Sequence, residues 1–169
     1  MKINMTYIAL SVSALFYAGM ANAAITGTSS LKMTFESKVV SGTCTAKLVN
    51  GAGTPASEIA FGDVYKSDLV NKTRVEPLKI TFSDCSGVEK ATVAAASTTG
   101  GKCSGTSFDG DSYGAGLATG FEVWSGQVDS GVMLKCKTPP APQEVTIAGG
   151  VGEFPMNSRI VIGKGNTIA

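Results

Sequence analysis

The sequence contains no histidine and only one tryptophan, and charged residues make up 16% of its 169 residues. Without histidine, neither Ser-His-Asp nor Cys-His nucleophile activation is available, and the commonest ligand of zinc and copper is missing. We therefore expect a protein that is not an enzyme and that holds no metal and no cofactor. Glycine is abundant instead, with 21 residues, and with the low charge this favours short strands joined by turns.

The first 23 residues have the features of a secretory signal peptide. Lys2 precedes an uncharged, mostly apolar stretch from Met5 to Met20, and the triplet Ala-Asn-Ala follows directly. This order predicts cleavage after Ala23. A membrane anchor is the alternative, but the apolar stretch is short for a bilayer span and the cleavage triplet comes at once. We expect residues 1–23 to be removed, with no membrane insertion afterwards.

The rest of the chain is electrically balanced. Lys2 is the only charged residue of the signal peptide, so acidic and basic residues are equal in number after it. No run of lysine or arginine is present that would hold phosphates or an anionic membrane. Nucleic acid and lipid are therefore poor candidates for partners.

All four cysteines lie in the part of the chain that would be exported, at positions 44, 85, 103 and 136. An even number of cysteines in an oxidising compartment predicts disulfides. Three pairings are possible, and the spacing does not choose among them. Sequential pairing, Cys44 with Cys85 and Cys103 with Cys136, would close two loops of similar size. A four-cysteine metal site is disfavoured because no C-x2-C pair occurs.

Residues 31–40 alternate between apolar and polar side chains, which is typical of a strand with one buried side. One face of this strand would carry Leu31, Met33, Phe35, Ser37 and Val39. No apolar pattern of helical period continues for three turns, so we expect strands without helices in a single all-β sandwich. The other strands are predicted over residues 44–49, 58–64, 77–82, 91–96, 117–124, 132–136, 144–148 and 159–162.

Three local patterns could carry chemistry, and each has a simpler interpretation. Residues 110–114 fit G-x-S-x-G, but that nucleophile motif requires a histidine and a following helix. Residues 109–111 fit the D-x-D start of a calcium loop, but the twelfth position is Gly120 instead of glutamate. We interpret both as polar turns. Trp124 at the end of an alternating run favours packing over a sugar-binding platform.

The first strand has two possible uses. Its apolar face can fold back into its own domain, or it can fill a groove in a different molecule. Burial of its large apolar side chains would contribute about 1.5–3 kcal/mol each in either case. The residues alone leave both uses open.

Four segments of the chain form a recognisable series: residues 35–46 (FESKVVSGTCTA), 59–64 (IAFGDV), 77–85 (PLKITFSDC) and 116–123 (GLATGFEV). In this order and spacing they resemble the pilin subunits of chaperone–usher fimbriae. Such subunits have a signal peptide, an alternating N-terminal extension, a cysteine in the first strand, a short "fG-x-v" segment and a second cysteine that closes a later strand. The resemblance covers most of the chain after residue 23.

The resemblance implies an incomplete immunoglobulin-like sandwich of Greek-key topology that lacks its last strand. A periplasmic chaperone fills the resulting groove first, an outer-membrane usher assembles the fibre, and the N-terminal extension of the neighbouring subunit then replaces the chaperone strand. Residues 24–39 would be this donor segment and residues 40–169 the pilin domain. Cys44–Cys85 would match the family disulfide. The inward-facing positions of the donor would be Leu31, Met33, Phe35, Ser37 and Val39.

The chain departs from the family pattern at three places. Ser37 stands where donor strands usually carry glycine, and the second cysteine pair implies a minor subunit or a particular subgroup. The C-terminal residues show no final alternating strand with a penultimate aromatic, which implies either truncation or a different anchor for the chaperone.

The expected function is that of a structural or minor subunit of a bacterial surface fimbria that supports cell adhesion. The alternative is a fimbrial tip adhesin or another exported carbohydrate-binding module. The chain is too short for a lectin domain beside a pilin domain, and a tip adhesin has no use for a donor strand.

Overall fold

The computed structural model describes residues 42–97, 102–116 and 118–168 in full, and the backbone alone of residues 30–31 and 34–39. The predicted signal peptide and residues 24–29 of the predicted donor segment lie outside the described residues. The elements of the described part are β1 (Ser30–Leu31), β2 (Thr34–Val39), β3 (Thr43–Asn50), β4 (Ile59–Ala60), α1 (Lys66–Asn71), β5 (Val75–Ser86), β6 (Lys90–Ala96), β7 (Tyr113–Gly116), β8 (Thr119–Ser125), β9 (Val132–Met133), β10 (Gln143–Thr146) and β11 (Gly152–Ile162).

Two antiparallel sheets enclose the core. The larger has the strand order β3-β5-β11-β8-β7, with β9 paired to β8, and the smaller has the order β10-β6-β2. A two-stranded pair, β1 with β4, stands apart from both. One cluster of buried apolar side chains joins the two sheets, and the rings of Phe61 and Phe121 stack within it with centroids 5.1 Å apart. The predicted all-β sandwich of immunoglobulin-like type is confirmed.

Alternation in the sequence produces the buried face of each long strand. In β5, Leu78, Ile80 and Phe82 are buried while the residues between them are not. In β8, Phe121 and Val123 are buried in the same way. Because successive side chains of a strand point to opposite faces, this period of two places one apolar row of each strand in the core.

The expectation that the chain has no helix is wrong for residues 66–71. The helix α1 begins after Tyr65, whose backbone N–H donates to the Asp68 carboxylate at 3.0 Å. It ends at Asn71, and the next residue, Lys72, is in the left-handed region with φ of 54°. Leu69 is its buried residue. A helix of less than two turns cannot show an apolar repeat over three turns, so the search for that period missed it.

The strand predictions differ from the structure mainly at strand ends. The last strand, predicted over 159–162, begins at Gly152, and β7 was not predicted. Pro155 interrupts the sequence pattern of β11, but pairing of β11 with β8 starts only at Met156. Pro155 therefore lies outside the part of β11 that is paired on both sides, where its missing N–H is tolerated. Of the strand predicted over 58–64, only Ile59–Ala60 forms.

Both sequential disulfides are present, so the pairing that the spacing left open is settled. Cys44–Cys85 joins β3 to β5, and Cys103–Cys136 joins the segment before β7 to the segment after β9. The bridged residues are 41 and 33 positions apart. Loop closure of this length stabilises the fold by about 4 kcal/mol per bridge. In the described part of the chain, no helix has the length and apolarity that a bilayer span requires.

Candidate functional site: the two edges of strand β6

Strand β6 is the central strand of the smaller sheet, and its inward-facing residues are small. Ala91, Val93 and Ala95 are each at most 6% exposed, whereas the residues between them are only partly buried. On the outer side, Lys90 pairs with the Glu144 carboxylate at 2.8 Å, and this ion pair raises the pKa of Lys90. The strand thus offers an apolar inner face and two backbone edges that require partners.

One edge of β6 is covered by β10. The register places Val145 opposite Ala91 and Gln143 opposite Val93. The backbone N–H of Ile147 extends the contact by donating to the Glu89 carbonyl at 2.8 Å. This edge is therefore paired by a later segment of the same chain.

The other edge of β6 is covered by β2, which belongs to the predicted donor segment. Six consecutive residues pair in antiparallel register, from Thr34 opposite Ala96 to Val39 opposite Ala91. Residues directly opposite each other in an antiparallel pair lie on the same face of the sheet. Positions 35, 37 and 39 are the ones predicted to face inward. In this register they lie directly opposite the buried residues Ala95, Val93 and Ala91.

The structure also places Ser30 and Leu31, the first described residues of the predicted donor segment. Leu31 lies opposite Ile59 and Ser30 opposite Ala60, in the short pair of β1 with β4. Met33 lies outside the described residues. Among the predicted donor positions, Leu31 is thus beside one strand and Phe35, Ser37 and Val39 are beside another, all within one chain. Their donation to a second molecule stays a prediction.

Gly42 lies between β2 of the smaller sheet and β3 of the larger sheet, directly before β3. Its φ is +135°, and a Cβ at this position would lie 2.5 Å from both the Ser86 carbonyl oxygen and Cγ2 of Val88. Glycine is required here, both for the backbone conformation and for the close approach. The neighbouring bridge Cys44–Cys85 ties β3 to β5, so the chain on the C-terminal side of Gly42 is held in place.

An ion-pair network with a buried arginine and one exposed carboxylate, that of Asp129, lies on the larger sheet, and the sequence analysis did not predict it. Arg159 of β11 is 5% exposed and lies directly opposite Glu122 of β8, to which its Nε donates at 2.8 Å. Its two terminal nitrogens donate to the Asp129 carboxylate at 2.7 Å, which holds the pKa of Asp129 below its usual value. The sequence placed Arg159 in a predicted strand, over residues 159–162, but nothing in it placed Asp129 beside that arginine.

The patterns at residues 109–114 have structural roles in the loop before β7 and in the first two residues of that strand. The Ser112 hydroxyl is 2.5 Å from the Ser104 hydroxyl, and both residues are buried. The Asp109 carboxylate accepts from Lys164 at 2.7 Å, and this contact lowers the pKa of Asp109. Asp111 forms an ion pair with Lys135. These contacts agree with the interpretation of polar turns.

The remaining candidate of the sequence analysis, Trp124, is half-buried. Its indole N–H donates to the Glu122 carboxylate at 3.1 Å, so its polar atom is used within the protein. A search of the described residues finds no group of three or more His, Cys, Asp or Glu side chains that could hold a metal ion.

Fold and site together define the class of this protein. The chain is an immunoglobulin-like sandwich with two disulfides, and its N-terminal segment supplies the strand that covers one edge of the smaller sheet.

Comparison with known proteins narrows this class. No family model matches the chain. The chain is 37% identical over 154 residues to the "Uncharacterized fimbrial-like protein YadL" of Escherichia coli (strain K12), an alignment that covers 83% of this chain and 76% of that protein. The chain therefore belongs to the family of fimbrial subunits, and the resemblance found in the sequence is confirmed.

Proposed function

We propose that this chain is a structural or minor subunit of a bacterial surface fimbria that polymerises by donating residues 24–39 to a neighbouring subunit. It has no catalytic role in this proposal, and the fibre that it builds supports cell adhesion. Membership of the fimbrial family supports the proposal. The observation that carries it is the pairing of residues 34–39 with the edge of β6.

The chemistry of this pairing suits donation between subunits. The contacts along a strand edge are backbone hydrogen bonds, which depend little on the side chains of the arriving strand. A segment that pairs with β6 in its own chain can form the same ladder with β6 of a second copy, as in domain swapping. The alternate residues 35, 37 and 39 would set the register, since a slip by one residue would move them to the opposite face.

The proposal includes the route to the surface. The signal peptide would direct the chain to the periplasm, where both disulfides can form. When residues 34–39 leave β6 to be donated, that strand edge is uncovered, and uncovered edges promote aggregation. A periplasmic pilus chaperone would cover that edge until an outer-membrane usher brings two subunits together. The fibre would then stand on the cell surface.

The carbohydrate-binding alternative gains no support from the described residues. Its candidate platform, Trp124, is half-buried and its indole N–H is already bonded to Glu122. We therefore retain one proposed function.

Deletion of residues 24–39 tests the proposal directly. The deleted subunit should bind a synthetic peptide with the sequence of residues 24–39 but should fail to extend fibres, because it can accept a strand and cannot give one. Fibre growth by the deleted subunit at the rate of the complete chain would contradict the proposal.

A matched pair of substitutions tests the predicted face. Phe35→Asp should block donation, because position 35 lies on the buried face of the ladder, opposite Ala95. Thr34→Asp introduces the same charge on the other face, opposite the exposed Ala96, and should assemble normally. Fibre length measured by electron microscopy, with both variants at equal concentration, distinguishes the two. Equal assembly of the two variants would show that the face is assigned wrongly.

A further inference from the structure

The structure shows residues 34–39 of the predicted donor segment paired within their own chain. We propose that residues 34–39 cap the edge of β6 in the lone subunit, so that the subunit neither gives nor accepts a strand until this segment leaves. This inference rests on the proposed function and adds to it a control on assembly. It concerns one surface, the edge of β6 from Ala91 to Ala96, and one occupant, residues 34–39 of the same chain.

A strand has two edges that can pair with neighbours, and β6 has a neighbour on each of them. One edge of β6 is occupied by β10 and the other by β2. While β2 is in place, an arriving strand finds the β6 edge from Ala91 to Ala96 already paired. The same contact also keeps residues 34–39 from reaching a neighbour. A single intramolecular pairing therefore blocks both the donor and the acceptor role.

Connectivity favours this pairing in dilute solution. Only three residues separate the end of β2 at Val39 from the start of β3 at Thr43, so the segment is tethered close to its binding edge. A short tether gives an effective concentration on the order of millimolar. For a subunit at about 1 µM, pairing within the chain would then exceed pairing between chains by about a thousandfold. Donation becomes competitive where subunits are concentrated or delivered next to each other.

Release of the cap does not require unfolding of the domain. The bridge Cys44–Cys85 and the close contacts of Gly42 with Ser86 hold the chain from residue 42 onward against β5. The segment before Gly42 can detach from β6 while the larger sheet keeps its pairing. The lone subunit would thus switch between a capped and an open form by movement of residues before Gly42 alone.

An engineered disulfide tests the cap. Glu36 and Ala94 lie directly opposite each other in the register, and position 94 is not one of the buried residues of β6. Opposite residues in an antiparallel pair have Cα atoms about 4.5–5.5 Å apart, which is within the range of a disulfide. We expect the full-length mature variant Glu36→Cys/Ala94→Cys, oxidised as a dilute monomer, to form a bridge within one chain. Non-reducing peptide mass spectrometry and gel filtration detect that bridge.

The control moves one cysteine along the strand. In Lys38→Cys/Ala94→Cys the two positions are two residues out of register, so bridge formation should be at least tenfold slower. The locked Glu36→Cys/Ala94→Cys monomer should lose fibre extension and binding of the donor peptide, whereas the same variant before oxidation should retain both.

Each outcome decides a different point. A bridge that forms only between chains would overturn the cap and leave the proposed donation intact. A locked monomer that extends fibres at the unlocked rate would overturn donation of this segment while the cap itself stands. Equally fast bridging in the control variant would overturn the register, and with it the capped form described here.

Discussion

Removal of Glu122 is a stringent test of the ion-pair network in the larger sheet. Arg159 is 5% exposed and Glu122 has a side-chain exposure of 13%, so the pair is largely shielded from water. Glu122→Ala would leave the guanidinium with one carboxylate, that of Asp129, and would remove the acceptor of the Trp124 indole. Removing one partner of a buried pair costs about 3–5 kcal/mol, and since Asp129 remains, we expect about 3 kcal/mol.

The measurement is urea unfolding of the oxidised protein, with the free energy taken from the midpoint and slope. Glu144→Ala is the matched control, because Glu144 pairs with Lys90 at the surface with both side chains more than 60% exposed. Its midpoint should be unchanged. A second variant tests the cause: Glu122→Ala/Arg159→Met should be more stable than Glu122→Ala alone, because it removes the uncompensated charge. Equal midpoints for Glu122→Ala and Glu144→Ala would refute the reasoning.

Three further predictions follow from the same structure. The pKa of Asp129 is lowered in the folded protein, so its ion pair stabilises the fold above about pH 4 and is lost as the pH falls through the lowered value. The melting temperature of Asp129→Asn should therefore lie below that of the unmodified protein at pH 7 and converge with it in acid. Replacing Cys103 and Cys136 by serine should cost about 4 kcal/mol of unfolding free energy, measured in urea. Gly42→Ala should be more destabilising than Gly53→Ala by at least about 1 kcal/mol in the same assay, since both have positive φ but only Gly42 is closely packed.

Each of these has a clear contrary result. A constant difference in melting temperature between pH 7 and pH 3 would show that the carboxylate at position 129 does not carry the stabilisation. Unchanged unfolding of the doubly substituted serine variant would mean that the second bridge does not restrict the unfolded chain. Equal effects at the two glycines would mean that only the sign of φ matters, and that the contact with Ser86 is relaxed at no cost.

The sequence predicted the β-strands best where burial on one side forces strict alternation. Residues 77–82 show this, because Leu78, Ile80 and Phe82 alternate in the sequence and are the buried residues of β5. It failed where local contacts decide. The helix α1 is too short for a periodic pattern, and the strand β11 is extended across Pro155 because only one neighbour pairs there.

The candidate site was predicted in part. Alternation identified the apolar face of residues 31–39, and the family resemblance gave this segment its proposed role. The strand that pairs with it could not be found by the same reasoning. Residues 91–96 are mostly alanine and resemble any small buried strand, and they lie about sixty positions away along the chain.

What the sequence by itself determined is the set of properties that arise from neighbouring residues: the strand alternation, the all-β class and the even number of cysteines. These depend on backbone geometry and side-chain polarity over a few positions. What only the tertiary structure decided is which distant groups meet: Cys103 with Cys136, Arg159 with both of its carboxylates, and residues 34–39 with the edge of β6. Such contacts are selected by the packing of the whole sandwich, because many strand edges and charges are chemically equivalent until the fold brings one partner near.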